Sequence, residues 1–250
     1  MANSDDRITR AALELFAAKG FEATGIRDIA EAVKLSSAAL YHYIGTKDDL
    51  LYKIMCDSLD AWIVGINRAC DEVEGPHNKL AAFVRLHVMY EGHYQLRSVV
   101  VDSDLRSLKG RQRAHVIALR DHYEDVLAAL LRAGVADGTF DIPDPRIARL
   151  ALLEMCNGVS RWYSPRGASK LSLEQIADHF SSLALALVRA RKNGRLLTIS
   201  DLDVPPSAYY LRLAIETSEA VATEAPSRNA SFAALADVAS GKRRFGDSFG

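Results

Sequence analysis

Between Thr24 and Leu50 the chain reads TGIRDIAEAVKLSSAALYHYIGTKDDL, and this stretch restricts the possible folds more than any other. Thr24 is of a type that caps helix N-termini, and Ile26, Ile29, Ala30 and Val33 give one short apolar helical face. Leu35-Ser36-Ser37 interrupts that helix, because serine hydroxyls compete for backbone hydrogen bonds. A second short helix follows from Ser37 to Tyr43. Gly45-Thr46 stops it, and Thr46-Lys47-Asp48-Asp49 restarts the chain as a capping box with an acidic first turn. Helix, tight turn, helix is the geometry whose second member lies in the major groove of double-stranded DNA.

On that helix Ser36, Ser37, Ala39, Tyr41 and His42 are the side chains expected within reach of bases or phosphates. Thr24, Gly25 and Arg27 offer an anion-binding helix N-terminus with a guanidinium beside it. Leu40, Tyr43 and Ile44 read as core. Charge adds nothing to the DNA reading. Residues 1–55 carry seven basic side chains (Arg7, Arg10, Lys19, Arg27, Lys34, Lys47, Lys53) and eight acidic ones (Asp5, Asp6, Glu14, Glu22, Asp28, Glu31, Asp48, Asp49), a net of −1. A non-specific coater of DNA would be strongly basic, so the pattern points to a sequence-specific binder.

The rest of the chain also reads helical, with no alternating strands between hairpin turns. A first helix spans about Ser4 to Lys19. A fourth runs from Lys47 to about Glu74 and stops at Gly75-Pro76. His77–Tyr94, Leu96–Leu108, Arg111–Asp137, Arg146–Tyr163 and Ser172–Lys192 make five more, nine in all. The last two are apolar on more than one face, through Leu150, Leu152, Leu153, Leu183, Leu185 and Leu187, which predicts a homodimer interface. Beyond about residue 195, Pro205-Pro206 and Pro226 divide the chain into a helix from Ser207 to about Glu224 and a shorter one from Ser231 to Ala239. The terminal Lys242-Arg243-Arg244 reads as a solubilising end. The expected fold is therefore all-α. A three-helix DNA-binding module occupies residues 1–48, a helical ligand-binding and dimerisation domain 49–195, and a partly helical extension 196–250.

Other classes are excluded. No apolar run approaches the roughly 18 residues that cross a bilayer, so no membrane partner is expected. The first residues are acidic where an export signal would be basic. Cys56, Cys70 and Cys156 share no ligand spacing, so we expect reduced thiols in cytoplasm. His87 and Glu91 are one turn apart, but His93 points elsewhere, and three metal ligands do not converge. No nucleophile elbow, phosphate loop or carboxylate pair is present. We expect no metal, no cofactor and no enzyme.

Thr24-x4-Ile29-Ala30-x-Ala32-Val33, Leu35-Ser36-x3-Leu40-Tyr41-x-Tyr43 and Lys47-Asp48-x-Leu50, together with Ala11-Ala12-x2-Leu15-Phe16-Ala17-x2-Gly20-Phe21, resemble the DNA-binding module of TetR-family transcriptional regulators over about residues 7–52. The chain departs from the family pattern in having Lys34 and Ala38 where glycine is common, and Ile44 where phenylalanine is common. The resemblance implies operator DNA as partner, Tyr41 and Lys47 as phosphate clamps, and a small-molecule effector. Arg161-Trp162-Tyr163-Ser164-Pro165-Arg166-Gly167, preceded by Asn157-Gly158-Val159, is similar to a subset of that family answering to acyl-CoA thioesters in lipid or sterol breakdown.

An acyl chain needs an apolar pocket between helices, and CoA phosphates need bases at its mouth. Phe83, His87, Tyr90, Leu105, Tyr123 and Met155 are the expected lining. Arg106, Arg111, Arg161 and Trp162 are the expected headgroup contacts. The expected function is a repressor released from DNA by a hydrophobic effector. The rival is a DNA-bound structural or partner-binding protein with no switch. A solvent-accessible elongated cavity between the fifth, sixth, seventh and eighth helices favours the first, and a solid core favours the second.

Overall fold

The computed structural model describes residues 4–164 and 171–239, with side chains up to residue 223. Three short helices open the chain: α1 Ser4–Lys19, α2 Ile26–Ala32 and α3 Ser37–Ile44. They close over Ile8, Ala12, Phe16, Phe21, Ile29 and Leu40, all buried. The cap of α2 differs from expectation. Gly25 holds the N-cap, its N–H donating to Asp28 Oδ2 at 2.8 Å. Thr24 is instead buried, its hydroxyl donating back to the Gly20 carbonyl at 2.9 Å, where it closes the α1–α2 turn.

Helix α4 spans Lys47–Asp71, started by a capping box at Thr46 and three residues shorter than the sequence suggested because it turns off before Gly75. Next comes α5, Pro76–His93, in which every residue from Leu80 to Gly92 is buried. It is the axis of the larger domain. Around it pack α4, α7 (Gly110–Ala136), α8 (Pro145–Asn157), α10 (Leu173–Leu187) and α11 (Ser207–Ala239). The helix α6, Gln95–Ser103, lies against α1, so the larger domain touches the DNA-binding module directly.

Several predicted helices change shape, and the one expected as Leu96–Leu108 ends at Ser103, before a turn of 3-10 helix at Leu105–Ser107. The stretch expected as Arg146–Tyr163 breaks at Gly158, which ends α8 and begins the one-turn α9, Val159–Trp162. The stretch expected to reach Lys192 ends at Leu187. Asn193 and Gly194 both take positive φ and turn the chain into a two-stranded hairpin, Arg191–Lys192 (β1) against Arg195–Leu196 (β2). Asn-Gly is a strong hairpin signal, so the expectation of no strands underweighted those two residues. Finally, α11 is one helix through position 226, not two. A proline deletes one amide donor, and a helix can absorb that loss without stopping.

The extension is part of the core. Tyr210, Leu213, Ala214, Thr217 and Val221 of α11 are buried, and Gly65 of α4 lets the helices approach: a Cβ there would stand 2.7 Å from the Tyr90 hydroxyl. That hydroxyl donates to the Ala61 carbonyl at 2.7 Å and meets Thr217 Oγ1. Buried Arg85 ties down the approach to α11, reaching the Pro205 carbonyl at 2.8 Å and Asp178 at 2.8 Å.

Candidate functional site

The surface of the DNA-binding module is built around α3. Ser36 caps it, its hydroxyl oxygen accepting from Ala39 N–H at 3.2 Å, and that O–H remains able to donate outward. Leu40 is fully buried in the core of the module, where α3 packs on α2 and α4. Ser37 and Ala39 are half-buried, while Ala38, Tyr41 and His42 face solvent. Tyr43, read as core, is 49% exposed, because Leu40 alone fills the space under this two-turn helix. The N-terminus of α2 adds exposed Gly25 and Arg27 beside this face.

Two expected DNA contacts have other partners. Thr24 is buried and its hydroxyl is used, so its side chain offers nothing to a phosphate. The Lys47 ammonium donates to the carbonyls of Phe21 at 2.8 Å and Thr24 at 2.9 Å, and it sits 4.1 Å from the Phe21 ring centroid. Lys47 thus staples the start of α4 to the turn that presents α2. Lys34 occupies the end of α2 with φ of 59°, a left-handed conformation, which accounts for glycine being common there in the family.

The larger domain holds a buried polar cluster. His87 is enclosed by the rings of Trp62, Phe83 and Tyr123, with centroids 5.5, 6.0 and 5.6 Å away. Its Nε2 bonds to Asn157 Oδ1 at 2.9 Å and its Nδ1 accepts from the Tyr123 hydroxyl, which fixes one neutral tautomer. Burial pushes its pKa down to about 4. Glu91, one turn on, shares the face of His87 as the sequence implied, and it lies wholly buried 3.8 Å from His87 Nε2. Burial first, then the charge of Asp102, pushes the Glu91 carboxyl up to about 8. Burial also pushes Asp102 up to about 6, partly offset by Arg120.

A cavity of about 90 Å³ adjoins this cluster. It is lined by Leu59 and Trp62 of α4, Val101 and Asp102 of α6, Arg120, Tyr123 and Glu124 of α7, and Leu150, Leu153, Glu154 and Asn157 of α8. Of the expected ligand residues only Tyr123 lines it. Phe83, His87 and Tyr90 form the packed wall behind, and Met155 is half-buried on α8. Leu105, Arg106 and Arg111 lie elsewhere, at the α6–α7 junction. There Asp104 meets the Phe21 backbone, and Gln112 donates to Asp49 at 2.8 Å. That junction leans on the DNA-binding module, so these bases do not guard this cavity. Arg161 and Trp162 are exposed, with the indole 6.2 Å from the Phe180 ring. Pro165, Arg166 and Gly167, and Lys242 to Arg244, fall outside the described residues. The sequence reading missed Asp102 and Arg120 as cavity walls and weighed Glu91 only as a metal ligand. A lone carboxylate in an otherwise apolar run of α5 was the available signal.

Two family profiles match the chain: "Bacterial regulatory proteins, tetR family" over residues 8–54, and "Tetracyclin repressor-like, C-terminal domain" over 73–188. The HTH-type transcriptional repressor KstR2 of Mycolicibacterium smegmatis is 27% identical, with 74% of this chain and 90% of that protein aligned. The TetR-family regulator PfmR from Thermus thermophilus is 36% identical at a TM-score of 0.66, covering 75% of this chain and all of that one. AibR, crystallised with isovaleryl coenzyme A and operator DNA, is 25% identical at a TM-score of 0.66, with 72% and 97% covered. The chain belongs to the TetR family of bacterial regulatory proteins and is a DNA-binding regulator of transcription.

Proposed function

We propose that this protein is a homodimeric transcriptional repressor released from its operator by a largely apolar effector, and that the effector is an acyl-CoA thioester. The observation carrying the switch is the position of α4. Its Leu59 and Trp62 wall the cavity, while its first residue, Lys47, staples the turn that presents α2 and follows α3 by two residues. A ligand that prefers one setting of α4 therefore has a rigid path to the DNA-reading helix. The thioester reading draws support from the relatives named as a repressor and as a complex with isovaleryl coenzyme A and operator DNA.

At the operator, Ser36, Ser37, Ala39, Tyr41 and His42 face the DNA with Gly25 and Arg27. Tyr41 is assigned to phosphate and His42 to a base edge. Lys47 keeps one hydrogen for phosphate and spends the others on the fold. The second copy docks on α8 and α10, where Ile147, Leu150, Leu183 and Leu187 are 63, 49, 54 and 37% exposed.

One observation favours the rival reading of a DNA-bound protein without a switch. The cavity is small and compact, not the elongated one an acyl chain would fill, so the helices must part for such a chain to enter. The deciding experiment is release of the protein from its own promoter DNA by acyl-CoAs of graded length, with free acids and CoA as controls. Release by thioesters alone is expected. Release by free acids alone removes the thioester, and no release by any of them favours the rival.

A further inference from the structure

The cavity wall is unusual in its unmet hydrogen-bonding capacity. Asp102 Oδ2 is buried with no hydrogen-bond partner, whereas Ser98 and Ser160 serve Glu91 behind it. Glu91 projects from α5 toward α6 and the α8–α9 corner, where Ser98, Asp102, Cys156 and Ser160 surround it. Buried polar atoms almost always have partners, so an orphaned carboxylate oxygen on a residue that walls a cavity marks a place where something else donates to it. Two of the neighbouring charges are matched: Arg120 stands 3.7 Å from Asp102 Oδ1, and Arg149 3.5 Å from Glu124. Tyr123, Asn157 and Glu154 add polar wall, and Leu59, Trp62, Val101, Leu150 and Leu153 make the rest apolar.

We propose that this cavity is the subsite for a hydroxyl group at the tip of an otherwise apolar effector, with the Asp102 carboxylate as its acceptor, and that it excludes a carboxylate tip. The inference rests on the effector response proposed above and narrows its chemistry. A hydroxyl supplies the donor that the orphaned Asp102 oxygen lacks. A carboxylate brings no donor and faces Asp102, Glu124 and Glu154 across the cavity. An ammonium would have to shed its water beside the Arg120 guanidinium, which already stands 3.7 Å from Asp102 Oδ1. About 90 Å³ is room for a fragment the size of roughly three waters, a chain tip and not a whole ligand.

Four butyl-sized probes separate these chemistries: 1-butanol, its isomer 1-methoxypropane, which cannot donate, butyrate and butylammonium. Binding to the full-length protein is read from chemical-shift changes of the Val101, Leu150 and Leu153 methyls. The alcohol is expected to saturate at a concentration at least tenfold below the other three. In Asp102→Leu its advantage over the ether should vanish. Equal or tighter binding of ether or butyrate overturns the proposal. So does preference for butylammonium, binding of none of the four, or an Asp102→Leu variant that keeps the preference. Should Asp102→Leu fail to fold, the wild-type ranking of alcohol, ether and acid decides alone. None of the probes carries CoA, so this outcome is independent of whether thioesters release DNA.

Discussion

Lys34 shows how much a single backbone angle can matter. A side chain in the left-handed region crowds its own carbonyl, at about 1 kcal/mol. Lys34→Gly relieves that crowding at some cost in unfolded-chain entropy, so it should raise the unfolding free energy by about 0.5–1 kcal/mol in urea titrations. Tyr41 and Lys47 should separate binding from folding. Tyr41→Phe removes an exposed hydroxyl, and it should weaken operator binding roughly fivefold, equally across operator variants, with no change in Tm. Lys47→Ala frees two carbonyls in the α1–α2 turn, so it should lower both affinity and stability, the latter by about 1–2 kcal/mol. A Lys47→Ala protein with unchanged Tm would refute the staple.

Glu91 and His87 set the pH response in opposite directions. The folded state keeps the Glu91 proton up to about pH 8, whereas the unfolded chain releases it near 4.5, so stability declines between those values as pH rises. His87 stays neutral in the folded state down to about pH 4 while the unfolded chain protonates near 6.5, so its contribution is lost as pH falls through that window. Urea titrations at pH 5.5, 7 and 8.5 should show Glu91→Gln removing the decline up to pH 8 and uncovering the loss toward pH 5.5 that His87 causes.

Among the elements, α11 is the least anticipated. The sequence offered a capped start at Ser207 and an apolar repeat, but not its docking partner. The structure seats it on α4 and α5, with Leu213 1% exposed and Thr217 closing the Tyr90 hydrogen bonds. Leu213→Ala should therefore cost about 2–5 kcal/mol, the range for a core leucine, and unfolding should stay a single transition by circular dichroism and tryptophan fluorescence. A cost below 0.5 kcal/mol would mean that α11 is a loose appendage. The α10–hairpin corner and the α8–α9 break teach the same lesson on a smaller scale. Gly158 and Asn193-Gly194 were visible as punctuation, yet only packing decided which of them ended a helix.

At the scale of the whole molecule, the exposed leucines of α8 and α10 are the surface left over once one core stripe is satisfied. Leu150→Asp with Leu183→Asp should give a monomer by sedimentation at micromolar concentration, with helicity retained and operator affinity sharply reduced, since two half-sites need two recognition helices. Wild-type sedimentation as a monomer would refute the interface outright.

Local physics made the DNA-binding module legible in the sequence. Caps, turn residues and a short apolar face act within four residues of one another, so α1 to α3 and the start of α4 can be read directly, as can the exposure of Tyr41 and His42. What lay beyond that range was settled by tertiary structure. Whether Lys47 meets phosphate or the Phe21 carbonyl depends on a contact across 26 positions. Whether Arg106 and Arg111 guard a cavity or lean on the DNA-binding module depends on where α6 meets α1. That Asp102 walls a cavity, with Glu91 buried behind it, follows only when α5, α6, α7 and α8 converge. Burial and charge pairing are properties of the assembled interior, which no window of sequence contains.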